Sequence, residues 1–423
     1  IVVGVLATTT RRHLASPWLW AGVVLSIAFF LPNVLWQARN GYISLEFLNH
    51  IHARDVRIGR TDGYLVEQLF ITASPISILL WVPGLFALAR SEKLRRFRLI
   101  GWTGPLWASA GKYGSHQLTS YYAIKVYGPG HVIEHNAIAY FHDGIGISTY
   151  GTPPDDPELQ ASSIDICHND LHMLNDDFVE TDGACHNVRV MYNRGVNAAQ
   201  GGYSAQPAFG GPVYFIGNLL YHVPSGVSFK FSAKPAGLLV YHNTIIGEQT
   251  LREPSSNMHF RNNLFLGRDT PGRGIMTWGN ASRECSSDYN GFRPNAGVRE
   301  QYIWFGPPAG QIVYEPADGD WQLFATLDEL RRATDQEAHG IEVDFSDFES
   351  LAPPDPAGRH AVYHATDLNF RLKPASRPVD VGVVLPTVND GFQGRAPDLG
   401  ALEIGGPTPV YGPRWLKGHS FYR

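Results

Sequence analysis

The sequence is poor in cysteine, methionine and charged residues. Its 423 residues include 3 Cys and 4 Met, and only 17% are Asp, Glu, Lys or Arg. Three cysteines cannot form a disulfide scaffold, and we expect Cys167 and Cys185 to be free thiols. The sequence has neither the ligand spacing of a zinc site nor a glycine-rich phosphate loop. Its net charge of −5 argues against nucleic acid as a partner.

Hydrophobic residues, glycine and proline are abundant instead. The chain is 44% hydrophobic and contains 44 Gly and 29 Pro, which indicates a sizeable core with many turns. Charge is divided unevenly along the chain. Residues 1–110 carry 11 Lys and Arg against 5 Asp and Glu, whereas the remainder carries 23 against 34. We therefore expect two parts in different surroundings.

The first part has the pattern of a membrane segment. Two stretches of about 20 residues, 17–37 and 69–89, contain no charge and are long enough to cross a bilayer. Basic residues precede the first stretch and follow the second, which predicts that loop 38–68 faces outward. We expect residues 1–110 to be a transmembrane helical fragment, with whatever follows on the periplasmic or extracellular side.

The stretch LPNVLWQARNGYISLEFLNHIHARD (31–55) resembles membrane glycosyltransferases that use lipid-linked sugars, of the protein-mannosyltransferase and aminoarabinose-transferase type. The resemblance covers about residues 1–108. In that family the catalytic Asp lies in an earlier outward loop, and Asp55 and Asp62 lie in the wrong loop to replace it. We therefore expect this part to be truncated and inactive.

The second part repeats one sequence motif, in which a short β-branched or aromatic strand is followed by Asn and an apolar pair. Its asparagines lie 20 to 33 residues apart: Asn136, Asn169, Asn193, Asn218, Asn243, Asn263 and Asn290. This period is too short for propeller blades, and the residues do not fit leucine-rich repeats. A right-handed parallel β-helix fits, with Asn adopting the left-handed conformation and passing amide hydrogen bonds from coil to coil.

Three segments resemble the pectate-lyase-like superfamily of single-stranded right-handed β-helices. They are YYAIKVYGPGHVIEHNAIAYFHDGIGIS (121–148) and the closing segments 367–382 and 394–405. The resemblance covers about residues 118–410 and implies an all-β fold after the helical membrane segment. We divide the chain into a junction (111–120), coils (121–306), a continuation and cap with one short helix (307–410), and a tail (411–423).

One wall of the predicted coil comes from aligning HDGIGIS, DDFVETD, SGVSFKF and RGIMTWG by their apolar positions. The alignment predicts an inward column of Ile145, Val179, Val227 and Ile275. Side chains alternate along a strand, so two columns face outward. They contain Gly146, Glu180, Ser228 and Met276, and then Ser148, Asp182, Lys230 and Trp278.

The segment NDDFVETDG (175–183) is the densest group of acids in the chain. Asp176, Asp177, Glu180 and Asp182 offer the oxygen ligands that Ca²⁺ prefers. Alternatively, Glu180 and Asp182 form an acid/base pair for glycoside hydrolysis, or the segment is a solvated turn.

Four further groups complete the predicted site. Lys230 lies in an apolar strand and is the candidate base for β-elimination, a role in which some β-helix lyases are similar. His142 and Asp143 form a candidate base and its orienting group. Arg194, with Asn197 and Gln200, is placed to bind a substrate carboxylate, or to stabilise a loop. Trp278 is the fourth candidate for substrate binding.

We therefore expect a carbohydrate-active β-helix, most simply a Ca²⁺-dependent lyase of an acidic extracellular polysaccharide. Glycoside hydrolysis through Glu180 and Asp182, epimerisation, and a non-catalytic glycan-binding or surface role remain alternatives, because this scaffold carries several chemistries. We expect a monomeric β-helix that is tied to a membrane through its N-terminal spans.

Overall fold

The computed structural model describes residues 122–148, 153–224, 227–249, 253–280, 284–306, 321–355, 358 and 361–414, together with six isolated helical positions before residue 40. Contacts divide the chain into two units, Ile1–Pro105 and Leu106–Arg423. The predicted spans 17–37 and 69–89 and the resemblance of residues 1–108 lie outside these described ranges, apart from those isolated positions. Among the residues described, no helix is both long and apolar enough to cross a bilayer.

The second unit is a parallel β-helix, as the repeat predicts. Its strands are numbered here in chain order. The first sheet consists of Tyr122–Lys125 (β1), Asp143–Gly146 (β4), Val179–Glu180 (β7), Gly201–Ala205 (β10) and Val227–Phe231 (β13), in that order and all parallel. The second sheet consists of Val132–Glu134 (β2), Ala161–Cys167 (β5), Ala184–Met191 (β8), Phe209–Ile216 (β11), Ala236–Tyr241 (β14), Ser256–Arg261 (β16) and Ser286–Asp288 (β19).

The third sheet closes each coil. It consists of Ala137–Ala139 (β3), Asp170–Leu174 (β6), Arg194–Ala198 (β9), Leu219–Tyr221 (β12), Thr244–Ile246 (β15), Leu264–Leu266 (β17), Gly291–Arg293 (β20) and Ile341–Glu342 (β23). The first five coils, as far as β15, each contribute one strand to each sheet, whereas the later coils contribute only to the second and third sheets. The inward side chains stack into one apolar core. Parallel strands buried in this way satisfy their backbone groups through the coils above and below.

Smaller elements lie within and after the regular coils. Met276–Gly279 (β18), Tyr302–Phe305 (β21) and the antiparallel Gln322–Phe324 (β22) form a fourth sheet, and Phe348–Ser350 (β24) pairs with Asn369–Leu372 (β25). One helix, Leu327–Thr334 (α1), begins with a capping box, since the Thr326 side chain accepts from the Glu329 amide. Pro157–Leu159, Phe345–Asp347 and Ala365–Asp367 are short 3-10 helices.

The repeated asparagines form a continuous hydrogen-bonded ladder between the second and third sheets. The backbone N–H and Nδ2 of each Asn donate to Oδ1 of the next, at 2.9–3.1 Å, from Asn136 through to Asn290. Glu337 ends the ladder by accepting from Nδ2 of Asn290 at 2.8 Å. The predicted amide stacking is therefore confirmed.

The predicted backbone conformation of these asparagines was wrong by one position. The residue before each ladder Asn, and not the Asn itself, has a positive φ, for example 57° at His168 and 54° at Tyr192. The Asn is thereby turned inward, where its amide can reach the next coil. The neighbouring His135 and His168 rings stack with centroids 4.9 Å apart, so these histidines belong to the corner of the coil.

Candidate functional site

A row of outward side chains runs across the first sheet and is called the acid row here. The register pairs its members in the order Lys125, Gly146, Glu180, Ser204 and Lys230. The inward residues beside them, such as Val179, Tyr203 and Phe229, are all in the core. Adjacent strands lie about 4.8 Å apart, so the Cα atoms of the two lysines lie about 10 Å from that of Glu180, on opposite sides.

The acid row differs from the predicted wall in its register. β10 (GGYSA) lies between β7 and β13, so Phe229 rather than Val227 continues the core column of Val179. Lys230 therefore shares the row of Glu180 and not that of Asp182. The glycines of β10 read as a loop in the sequence, but they permit close approach: a Cβ on Gly202 would lie 2.1 Å from the Ser228 carbonyl oxygen.

Glu180 lies at the centre of the acid row and is only 3% exposed. Its Oε2 accepts a hydrogen bond of 2.6 Å from the Tyr122 hydroxyl. Burial raises the pKa of Glu180 to about 8, and the charges of Asp143 and Asp182 add to this effect, whereas Tyr122 and Lys125 oppose it. Glu180 is thus mostly a neutral carboxylic acid at pH 7, able to donate a proton.

Asp182 is held beside the row by β10 and the residue after it. Its Oδ1 accepts from the Ser204 hydroxyl at 2.6 Å and from the Gln206 backbone N–H at 2.8 Å. Burial raises the pKa of Asp182 to about 6, against these hydrogen bonds and the charges of Lys230 and Lys125. Its other oxygen, Oδ2, is buried with no hydrogen-bond partner within the described ranges. Asp182 is therefore mostly ionised at pH 7, when Glu180 is not.

Lys230 joins the row to the preceding acids. Its Nζ lies 2.9 Å from Oδ2 of Asp177 and 3.5 Å from Oδ1 of Asp176. Burial raises the pKa of both aspartates, and for Asp177 well above its usual value, although Lys230 opposes the shift. A Cβ on Gly201 would fall 1.7 Å from Oδ1 of Asp177, so any larger residue here would displace the Asp177 carboxylate.

His142 and Asp143 form the remaining edge of the site. His142 Nδ1 lies 3.1 Å from Oδ2 of Asp143, and the Asp177 backbone N–H donates to Oδ1 of Asp143 at 3.3 Å. Burial lowers the pKa of His142, but the hydrogen bond and charge of Asp143, with the charges of Asp176 and Glu180, outweigh it and raise the pKa overall. Candidate ligand atoms of His142, Asp143 and Asp176 all lie within 4.8 Å of one another. These three residues could hold a cation, and of the predicted calcium ligands Asp176, Asp177, Glu180 and Asp182 they include only Asp176.

The structure does not bring the four predicted substrate-binding residues into the acid row. Arg194 lies on the third sheet, where its guanidinium pairs with Asp170 at 2.8–2.9 Å. Asn197 follows on the same strand and is fully buried, hydrogen-bonded to His222 and the Tyr363 backbone. Gln200 lies just before β10.

The prediction that Trp278 faces outward was wrong: it is 1% exposed and packs against Phe292 and Tyr302 in the core. Met276, predicted to face outward like Trp278, is also buried in the core.

Three residues of the site were not predicted, namely Tyr122, Lys125 and Ser204. Tyr122 and Lys125 belong to YAIK, whose alternation is typical of a strand, but nothing local shows that this strand pairs with β4. Ser204 lies in the glycine-rich β10. Only the register of the first sheet brings these side chains to the acids of 176–182.

Comparison with known proteins adds no family. No protein-family model matches the chain, and no curated protein matches it either. The structure supports the parallel β-helix itself, and the chemistry must be inferred from the acid row and its neighbours.

Proposed function

We propose that the chain is a carbohydrate-active enzyme that cleaves a polysaccharide on the outward face of the first sheet, with Glu180 as proton donor. The observation that carries the proposal is the pairing of a neutral buried Glu180 with an ionised Asp182 two residues away. Two carboxyl groups whose surroundings separate their pKa values are the usual basis of acid and base roles in glycoside cleavage.

Hydrolysis is the reaction that this pair supports best. Glu180 protonates the leaving glycosidic oxygen, and Asp182 acts as base toward water or as nucleophile toward the sugar. Oδ1 of Asp182 is occupied by Ser204 and Gln206, so the buried Oδ2 is the oxygen left for that role, and the site must open locally for water or a sugar to reach it. Between pH about 6 and about 8, both residues are in the required protonation states.

β-Elimination on an acidic polysaccharide is the second candidate. It is favoured by the neighbouring carboxylates of Asp143 and Asp176, which could supply oxygen ligands to Ca²⁺, whereas the His142 nitrogen is a poor ligand for that ion. Ca²⁺ held there would offset the excess of carboxylates that otherwise repels a uronate. Lys230 remains the proposed base, and its ion pair with Asp177 would have to open for that role. We further propose that the polysaccharide is met outside the cytoplasm, on the side to which the basic flanks of the N-terminal stretches direct loop 38–68.

The experiment compares the full chain with Glu180→Gln on neutral and uronate polysaccharides. New reducing ends without ultraviolet absorbance indicate hydrolysis, whereas unsaturated, absorbing products that disappear with EGTA indicate calcium-dependent elimination. We expect Glu180→Gln to lose about 10²–10⁴-fold in rate, and Glu300→Gln, a change of an exposed Glu, to keep full activity. If neither product forms on any polymer, the proposal is wrong and a non-catalytic glycan-binding role replaces it.

A further inference from the structure

The hydroxyl of Tyr122 reaches Glu180 from two strands away. Tyr122 begins β1, Glu180 ends β7, and β4 lies between them. The hydrogen bond is 2.6 Å long and joins residues 58 positions apart in the sequence. An arrangement that bridges a whole strand needs a gap in the intervening one.

Gly146 provides that gap. A Cβ at this position would lie 2.6 Å from Cε1 of Tyr122 and 2.9 Å from Nζ of Lys125. Both contacts are closer than side-chain carbons approach in folded proteins, so any larger residue would displace the ring. The Tyr122 ring is also held by Lys125, whose Nζ lies 4.1 Å from the ring centroid.

We propose that Tyr122 is a positioning residue, which keeps the acidic proton of Glu180 on Oε1. Because Oε2 accepts the phenolic hydrogen, Oε2 acts as the carbonyl oxygen of the neutral carboxyl group. The proton then resides on Oε1, the oxygen that remains for a substrate. The catalytic consequence rests on the proposed function, whereas the proton position itself does not.

In hydrolysis the proton moves from Glu180 to the leaving oxygen. As the bond between the anomeric carbon and the glycosidic oxygen breaks, Oε1 gives its proton to that oxygen, and Glu180 becomes a carboxylate. Water adds to the anomeric carbon and loses its proton to Asp182. The hydrogen bond from Tyr122 strengthens as its acceptor gains charge, so Tyr122 favours the transition state over the bound substrate.

Infrared difference spectroscopy of the full chain at pH 5 tests the position of the proton. The carbonyl stretching band of Glu180 is the one lost in Glu180→Gln. In Tyr122→Phe the carbonyl loses its donor, and we expect the band to move to higher wavenumber. Tyr127→Phe is the matched control, since Tyr127 lies in the same coil and is 52% exposed, and it should leave the band in place. An unmoved band in Tyr122→Phe overturns the proposal.

Kinetics give a second readout on any polymer that the wild type cleaves. We expect Tyr122→Phe to lower kcat about 10- to 100-fold with KM unchanged, the loss of one hydrogen bond to a charged acceptor. A fall confined to KM would contradict a role in proton transfer. If the band moves but the wild type cleaves nothing, the proposed function fails and the positioning of the proton stands. If the wild type cleaves a polymer but the band does not move, the proposed function stands and the positioning role of Tyr122 fails.

Folding is checked by circular dichroism. If Tyr122→Phe does not fold, 3-fluorotyrosine at position 122 replaces it in the infrared measurement. Its phenol is a stronger donor of nearly the same size, so the Glu180 band should move to lower wavenumber. No movement in that variant also overturns the proposal.

Discussion

The asparagine ladder makes a prediction whose size can be worked out from its hydrogen bonds. Asn218 is fully buried in the middle of the ladder. Its Oδ1 accepts from the backbone N–H and the Nδ2 of Asn193, both at 3.1 Å. Its Nδ2 donates to Oδ1 of Asn243 and to the Val190 carbonyl, each at 2.9 Å. The change Asn218→Ala removes all four bonds but leaves the neighbouring coils in place.

The cost comes chiefly from the donors that remain. Asn193 keeps two N–H hydrogens directed at the empty position, and each buried unsatisfied donor costs about 1–3 kcal/mol. We therefore expect Asn218→Ala to lower the free energy of unfolding by about 4 kcal/mol. The carbonyl of Val190 and Oδ1 of Asn243 suffer less, because the latter still accepts from the Asn218 backbone N–H at 3.0 Å.

Asn136 provides a matched control at the first position of the same ladder. Asn136 is only partly buried, and within the described coils no other ladder Asn donates to it. Asn136→Ala therefore leaves no buried donor without an acceptor. We expect it to cost about 1 kcal/mol. Urea unfolding followed by circular dichroism gives the two values, and hydrogen exchange locates the loss, since stacked coils need not unfold in a single step. Equal costs for the two variants would refute the idea that buried donors dominate.

Three further predictions concern buried carboxyl groups. Hydrolytic activity should follow a bell-shaped pH profile with limbs near pH 6 and pH 8, from ionisation of Asp182 and Glu180, and the upper limb should vanish in Glu180→Gln. Arg268→Met should destabilise the chain by about 3–5 kcal/mol in urea unfolding, because it leaves Glu248 buried without its cation. Burial raises the pKa of Glu337 to about 7 in the folded chain, so its neutral form stabilises the fold at low pH. This stability, up to about 3 kcal/mol, is lost as pH rises from about 4.5 to about 7, and the loss should be smaller in Glu337→Gln.

Each of these three predictions about carboxyl groups would be refuted by a specific result. Arg189→Met removes a more exposed pair with Asp165 and should cost less than about 1 kcal/mol; a similar loss in both arginine variants would mean that burial of the ion pair is unimportant. A pH profile flat from pH 5 to 9 would exclude a titrating acid/base pair. An unfolding free energy in Glu337→Gln that keeps the wild-type pH dependence would assign that dependence to other groups.

The fold could be predicted from the sequence because the repeat is local. One asparagine recurs in each coil at spacings of 20 to 33 residues, and a buried amide with two donors and two lone pairs is suited to bond the coil above and the coil below. The helix α1 was also readable, since Thr326 and Glu329 form its capping box within four residues. The left-handed conformation was assigned to the wrong residue because the residue that turns the corner precedes the Asn, and His, Tyr, Gly and Asn occupy that position in different coils.

The site could be predicted only where its residues are neighbours in the chain. Glu180 and Asp182 lie two residues apart, so the expectation of a shared face came from alternation along one strand. In the structure the strand ends at Glu180, and Ser204 and Gln206 hold Asp182 in the turn beside it. The register between strands could not be read, because it depends on loops of different length. Hence β10 was missed and Lys230 was assigned to the wrong row. Trp278 was placed on the first sheet, although its strand pairs with Tyr302–Phe305 in a separate sheet.

The ladder and the acid row depend on each other through register. In each coil the Asn corner connects the second and third sheets, whereas the acid row crosses the first sheet, and the shared core links them. Because a strand that slips by one residue turns every side chain to the other face, a coil held in register by its Asn also keeps Glu180 outward and Val179 inward. The short β7, with only two residues, has little pairing of its own to hold this register. It follows that ladder substitutions near Asn193, which follows β7 in the chain, should disturb the bond between Tyr122 and Glu180 more than those near Asn263.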